Sequence, residues 1–439
     1  MQRVLTGDYM SFRGKLWVLG LSGAIAAYAV IGGLPMVGGL LTTSAQEPTN
    51  DSTAQLRIVE SVLQHIQNDY VDEPNMDKVR VGALRGLAGG LDPYSSFLTA
   101  DQVRNFEANK NSNRLGIGAQ YSQMMRYLYV ISTVKGSPAD KAGLKAGDVV
   151  EYIDNKATQD ISLYDAQQLI AGDAGSTVSL RILRTGEKPQ TLKVVRGAYK
   201  APAAESRVEA GKIGVVKVYA LEDGASNEIK TQVSSLAKQG VQKIILDLRG
   251  VAAGSLTEAV AVSNLFIKNG DLAKVIGREN KAVNSFTADP SKAIFDGTLA
   301  VITDFGTAGA GEAVAAAIEE AKRGEVIGER TFGAGTEQRL FTLRGGDGLL
   351  LTVAKWASPS GKPFLGDDRA SMGIKPTIEV KRPDTPEPLE VENLIDQNND
   401  EKQNPQPQAS PTPKPAPKPL EDLQLKKALE VLNGKAAGA

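Results

Sequence analysis

No cysteine occurs anywhere in the 439 residues. That excludes disulfides, cysteine–zinc sites and thiol catalysis together. Histidine is nearly missing as well: His65 is the only one. A serine–histidine–aspartate triad would have to use it, yet it reads as one position of an N-terminal helix, remote in sequence from the glycine-rich turns described below. Net charge is lacking too. Lys and Arg total 50 against 51 Asp and Glu, so no basic surplus points to nucleic acid. No metal-ligand spacing or cofactor motif stands out, and neither a metal nor a cofactor is expected. What is present is a 41% apolar share, enough for a globular core, and a length that suits two or three domains.

The N-terminus reads as an export signal or membrane anchor over residues 1–45. Arg13 and Lys15 precede an apolar run at 16–41, and Thr43, Ser44 and Ala45 follow it. The run is about as long as a bilayer-spanning helix, roughly 20 residues, so a retained anchor is favoured over a cleaved signal. Met10 is an alternative start. Either way an exported, periplasmic or otherwise extracytoplasmic chain is expected, anchored in the cytoplasmic membrane by 16–41. Residues 46–110 read as a helical region. Leu56, Val59, Val62, Leu63, Ile66 and Tyr70 recur at helical spacing over 53–70, and a second helix is expected over 76–88. Asp92-Pro93 then reads as the end of that helix and an Asx-type turn.

The stretch 303–338 organises the rest. It reads as a strand, a turn holding Gly309 and Gly311, an alanine-rich helix over 312–320, a short strand at 325–327 and a second glycine-rich turn. A strand-to-helix turn of this kind places backbone N–H groups beside a cleft, which suits an oxyanion site.

The two turns, Thr307-Ala308-Gly309-Ala310-Gly311-Glu312 and Thr331-Phe332-Gly333-Ala334-Gly335-Thr336-Glu337-Gln338, resemble the T-A-S-A-S-E and T-F-G-K-G-T-x-Q motifs of the carboxyl-terminal processing (tail-specific) serine peptidases. In that family the first Ser of S-A-S-E is the nucleophile, the Lys its general base, and the Gln orients the Lys. The resemblance therefore puts the nucleophile position on Gly309 and the base position on Ala334, with Gln338 retained. Glycine has no hydroxyl and alanine no amine, so the sequence reads as a catalytically degenerate member. The family's D-L-R-x-N-P-G-G motif stands here as Asp247-Leu248-Arg249-Gly250-Val251-Ala252-Ala253-Gly254. It implies an Asp247–Arg249 ion pair and an altered oxyanion turn of which Ala253 and Gly254 are the remnant.

Further stretches carry the same resemblance. Leu91-Asp92-Pro93-Tyr94-Ser95-Ser96 is nearly the family's L-D-P-Y-S-S. Residues 111–197 resemble a PDZ domain, through Arg114-Leu115-Gly116-Ile117-Gly118 and the stretch 136–157. PDZ domains add a peptide C-terminus as a strand. The loop Leu115, Gly116, Ile117, Gly118 is expected to offer N–H groups to the carboxylate, with Ile117 and Leu169 in the apolar pocket. The alternative reading makes these residues PDZ core alone. Residues 198–382 correspond to the tail-specific-peptidase core, for which the resemblance implies a ClpP/crotonase-like βα-repeat. Apolar runs at 213–218, 244–248, 299–303 and 349–356 read as its strands. A Pro-rich linker follows at 383–418 and a C-terminal helix within 419–439. The fold class is thus a multidomain α/β (α+β) chain with a PDZ domain inserted before the core.

Functionally, the residues imply an exported peptide-binding homologue, its dyad replaced by Gly309 and Ala334, serving as adaptor or regulator. Its expected partners are protein C-termini, together with an active homologue or a second copy. The alternative is an active serine-type endopeptidase acting at protein C-termini with a relocated nucleophile. Thr307, Ser255 and Thr336 are the hydroxyls nearby in sequence, and Lys322 is the nearest amine.

Overall fold

The computed structural model describes residues 52–109, 114–124, 126–382 and 421–434. The apolar run at 16–41 and the proline-rich stretch at 383–418 lie outside them. Residues up to Val79 form one unit and those from Arg80 onward a second. In the first, helix α1 (Ser52–Asp69) has the expected period; Leu56 at 70% and Val62 at 52% stay exposed, while Leu63 and Ile66 are partly buried. His65 Nδ1 meets Asp69 Oδ2 at 2.6 Å, an exposed pair one helical turn apart. Helix α2 (Met76–Gly89) leads into the second unit.

The second unit opens with the expected Asx turn. Asp92 Oδ1 accepts the N–H groups of Tyr94 at 2.8 Å and Ser95 at 2.9 Å. This turn delivers strand β1 (Ser96–Leu98), which pairs antiparallel with Leu350 to Gly348 of a later core strand. The region 46–110 is therefore more than helical, and that expectation is corrected. Phe97 and Leu98, 2% and 0% exposed, draw the segment into the core sheet. Helix α3 (Ala100–Asn109) follows.

The PDZ region is built from β2 (Ala119–Met124), β3 (Tyr127–Thr133), α4 (Pro138–Lys141), β4 (Val149–Ile153), β5 (Lys156–Ala157), α5 (Leu163–Ile170), β6 (Thr177–Leu183) and β7 (Gln190–Val195). Its antiparallel sheet runs β2-β3-β4-β6-β7, with β5 on β4. Ser162 Oγ accepts the Asp165 N–H at 3.1 Å and starts α5 as its sequence implies.

The core then adds β8 (Glu205–Glu209), β9 (Ile213–Lys217), α6 (Ala225–Lys238), β10 (Lys243–Asp247), α7 (Leu256–Asn264), β11 (Asp271–Ile276), β12 (Ala282–Thr287), β13 (Thr298–Thr303), α8 (Ala310–Glu320), β14 (Gly324–Gly328), β15 (Thr336–Thr342), β16 (Gly348–Ala357), β17 (Ile378–Glu379) and α9 (Leu423–Leu432). One sheet has the order β17-β14-β13-β10-β9-β8, parallel from β17 to β9. Its central strands β9, β10 and β13 are mostly apolar because both faces are covered. Ile244 and Leu246 point to the face packed by α6, α7 and α8, and Ile245 between them points to the face under α9. The second core sheet joins β1, β16, β11 and β12, with β15 also on β16.

The C-terminal helix is an integral cover. Ala428 and Leu432 are 0% and 5% exposed against Ile213, Val215, Ile245, Ala300, Ile302 and Ile327. Gln424 is buried and its Nε2 donates to Val380 O at 2.9 Å. Truncation after residue 420 should uncover this apolar face and remove about 3–5 kcal/mol of stability. Thermal melting checks it: an unchanged Tm and a soluble product would contradict the packing described.

Candidate functional site

The site lies where three turns leave the C-terminal ends of parallel strands. The first, after β10, carries Asp247 and Arg249. Asp247 is 4% exposed, paired with Arg249 Nη2 at 2.7 Å and with Lys217 Nζ at 3.2 Å. Burial alone would raise the Asp247 carboxyl. The two cations and the hydrogen bonds from Arg249 overcome it and hold the group near 2. Arg249 Nη1 also reaches Asp422 at 2.9 Å, at the start of α9. The pair is structural, as expected.

The second turn joins β13 to α8. Thr307 is fully buried; its Oγ1 donates to Leu248 O at 2.9 Å and lies 3.2 Å from Asp304 Oδ1. Asp304 Oδ1 accepts the Gly250 N–H at 2.9 Å, and Ala308 N–H donates to Val251 O at 3.0 Å. These bonds lock the first turn onto the second. At the helix entry stands Gly309, with φ 52° and ψ −105°. Such a backbone is strained for any residue with a side chain. A Cβ added there would meet only the Trp356 ring, at 3.5 Å, so the site holds room for a small side chain at an energetic cost.

The third turn, residues 331–335, is tied to the second by Glu312. Its carboxylate is fully buried. Oε2 accepts the N–H of Gly309 at 2.8 Å and that of Ala334 at 2.9 Å. Oε1 accepts the N–H of Gly333 at 2.8 Å and bonds the Thr331 hydroxyl. The two sequence positions assigned to nucleophile and base are thus held by one carboxylate oxygen. Burial pushes the Glu312 carboxyl up to about 7, against the lowering effect of its four donors. Arg369 lies close by, donating to Thr331 O at 3.0 Å and Phe332 O at 2.7 Å, with its guanidinium over the Phe305 ring.

The site is roofed from the PDZ side. Ile131 of β3 and Met124 of β2 pack with Phe305, Phe332, Ala334 and Met372. Tyr94, from the Asx turn, joins the same cluster, and burial raises its hydroxyl to about 12.

The other expected residues fall as follows. Gln338 is exposed, and its Nε2 donates to Thr336 Oγ1 at 2.6 Å and Thr352 Oγ1 at 3.2 Å. Thr352 in turn donates to Asp92 Oδ1 at 3.0 Å, so Gln338 is tied to the Asx turn. Ala253 is 7% exposed and its carbonyl accepts the Leu221 N–H at 2.8 Å, while Gly254 bridges Leu221. In the PDZ loop, the Leu115 N–H is already spent on Gly172 O at 2.8 Å, which corrects its expected part in carboxylate binding. The carbonyls of Gly116, Ile117 and Gly118 accept from Gly197, Ala139 and Val134, while the N–H groups of these three make no hydrogen bond among the described residues. Ile117 is 1% exposed inside the PDZ core, and Leu169 packs partly buried against that core. Ile117 is a core position in this structure, and Leu169 stays partly exposed beside that core. Among the described residues no three His, Cys, Asp or Glu side chains cluster as metal ligands.

Comparison with known proteins agrees with this geometry. The description of Peptidase family S41 matches residues 212–380, and that of a PDZ domain matches 129–184. The chain is 30% identical over 370 residues to a probable CtpA-like serine protease of Staphylococcus haemolyticus, covering 84% of this chain and 72% of that one. The chain belongs to the carboxy-terminal processing peptidases of family S41. It is also 29% identical over 371 residues to the carboxy-terminal processing protease CtpA of Bacillus subtilis, covering 84% of this chain and 78% of its relative. A solved photosystem II D1 C-terminal processing protease superposes with a TM-score of 0.61 at 25% identity, over 75% of this chain and 94% of that one.

In this S41 chain the substitute hydroxyls have other duties. Thr307 is bonded as above. Ser255 Oγ accepts the Glu258 N–H at 3.2 Å and caps α7. Thr336 accepts from Gln338. Among the described residues none of the three bonds a lysine or histidine side chain, and Lys322 sits in the turn after α8. Sequence reasoning missed Glu312 as the hub. A glutamate in the first helical turn ordinarily reads as a cap, and its bonds to residues 331, 333 and 334 arise only in the fold.

Proposed function

We propose that this S41 homologue binds peptide C-termini without cutting them and acts as an exported adaptor or regulator of proteolysis. One observation carries the reading. Glu312 holds Gly309 and Ala334 by their backbone N–H groups at the site, and neither residue has a side chain that can attack or take a proton. The PDZ domain supports the binding half of the proposal: the N–H groups of Gly116 to Gly118, unbonded among the described residues, suit a terminal carboxylate. Export and anchoring rest on the basic, apolar and small-residue sequence of 13–45.

Two measurements test it. The purified full-length chain, at near-stoichiometric ratio to an unfolded protein and with long incubation, should leave that protein intact. Cleavage that survives changes at Gly309 would overturn the proposal in favour of a relocated nucleophile. A peptide ending in apolar residues should be captured, and amidating its C-terminal carboxylate should weaken binding at least about tenfold, the equivalent of 1.4 kcal/mol. Equal binding of acid and amide would sink the PDZ part.

A further inference from the structure

Two arginines meet beside the third turn without an acid to pair them. Arg330 Nη1 donates to Ala370 O and Met372 O, each at 3.1 Å. Arg369 Nη1 donates in return to Thr331 O at 3.0 Å and Phe332 O at 2.7 Å. Each guanidinium thus holds the carbonyl of the residue that follows the other. Both side chains are partly buried, and neither forms an ion pair among the described residues. Elsewhere such arginines sit on carboxylates, Arg181 on Glu151 and Arg249 on Asp247. We propose that Arg330 and Arg369 together form a receptor for one oxyanion, a carboxylate or phosphate group. The inference does not depend on whether the S41 site cuts peptide bonds.

The first argument is which donors remain. A guanidinium carries five N–H groups. In both residues Nη1 is spent on two carbonyls, while Nε and Nη2 make no hydrogen bond among the described residues. None of these nitrogens is a buried atom lacking a partner, so they reach solvent. The Nε–Nη2 edge offers two parallel donors, the fork that matches two oxygens of one carboxylate or phosphate. Arg323 shows the contrast. It too is held by carbonyls, but it spends Nε on Phe266 O and Nη2 on Phe295 O and Gly297 O, and its fork is closed.

The second argument is charge. Burial makes the Arg369 cation costly and lowers its pKa, and Arg330 adds to the lowering; Glu312 opposes it. Glu312 does not relieve the pair, because its oxygens are spent on four donors. An anion between the guanidiniums turns a like-charge repulsion into two attractions.

The third argument is preorganisation. The carbonyls fix one nitrogen of each fork, and the Phe305 ring lies 5.2 Å from the Arg369 guanidinium carbon. Little side-chain freedom is left to lose on binding. Thr331 and Phe332 directly precede Gly333 and Ala334, so a peptide lying on the third turn would present its own acidic group to the pair. A free inorganic oxyanion is the other source of the same chemistry.

The test uses the full-length chain and two ligands. Inorganic phosphate should raise the Tm above that in chloride of equal ionic strength. Arg339→Gln, an exposed control, should keep this rise. Arg330→Gln and Arg369→Lys should lose it, and calorimetry should show phosphate binding weakened at least about tenfold, the scale of a charge-assisted hydrogen bond. Lysine retains the charge but not the fork, so Arg369→Lys separates recognition from folding. The second ligand is a peptide with an internal glutamate, amidated at its C-terminus so that the PDZ loop is not engaged, compared with its glutamine counterpart. A glutamate preference that both variants abolish supports the receptor with a peptide as its source. Phosphate binding of the same dependence, without that preference, supports it with a free anion as the source. No response to either ligand beyond chloride would overturn the proposal, as would responses that Arg330→Gln and Arg369→Lys leave unchanged.

Discussion

Replacing Glu312 with glutamine should destabilise the protein by about 2–4 kcal/mol, and with alanine by more, because buried donors lose their acceptor. Oε2 serves two backbone N–H groups, and Oε1 serves a third together with the Thr331 hydroxyl. Whichever way a glutamine amide is placed, its NH2 faces donors that need an acceptor. Urea denaturation at pH 8, where the carboxyl is ionised and accepts from all four donors, measures the effect, and a change below about 0.5 kcal/mol, the range of an ordinary surface substitution, would show that the hub is unimportant. The wild type carries a pH signature of the same group. Its folded pKa is raised from 4.5 to about 7. Between those values the folded state binds more protons than the unfolded state, so stability falls as pH rises. The loss from pH 5 to pH 8 from this group is on the order of 3 kcal/mol. Glu319 and Glu329 are raised by burial too and act in the same direction. Asp247 is lowered to about 2, so its stabilisation is present above the ordinary carboxylate range and is lost only in strong acid. It leaves the pH 5–8 window to the glutamates. A protein with the Glu312→Gln change should show a flatter pH dependence, and stability rising from pH 5 to pH 8 in the wild type would contradict the sign.

The strands of the parallel sheet were legible for a physical reason. They are covered on both faces, so Lys243–Asp247 and Thr298–Thr303 read as near-continuous apolar runs. The positions of Gly309 and Ala334 were legible because the flanking motif residues have their own duties: Thr307 bonds Leu248, and Thr331 bonds Glu312. Strand β1 was hidden, since three residues carry no periodicity and their partner lies some 250 residues away. The PDZ loop shows a limit of another kind. Leu115 to Gly118 have the right residue types, but which N–H groups stay free depends on Gly172, which bonds Leu115 from across the domain.

Restoring Gly309→Ser and Ala334→Lys together should raise cleavage of an unfolded protein by about 10³–10⁴ over the parent, while either change alone should give nothing. The non-additivity follows from the chemistry. A serine without its base, or a base without its serine, has no reaction to serve, and in a serine peptidase removing either member costs about 10⁶ in turnover, nearly as much as removing all of them. The geometry permits the pair. Both positions already meet at Glu312 Oε2, and a Cβ at Gly309 clears Trp356. The backbone there is strained for serine, of order 1–3 kcal/mol, so the double variant should also melt lower than the parent. It should fall short of full activity because the oxyanion turn has changed. Val251 O accepts the Ala308 N–H, and it presses on Gly311, where an added Cβ would lie 2.6 Å from it. The turn is therefore seated on the helix entry through Val251. One missing oxyanion donor costs about 10²–10³. Returning 251–253 to Asn, Pro and Gly in the double variant should recover about that factor in kcat with little change in KM. Activity in the Gly309→Ser single variant equal to the double would show that another base is at hand. No activity even with the turn restored would mean that the chain has lost substrate access as well, and the PDZ residues packed over Ala334, Ile131 and Met124, would be the next to change.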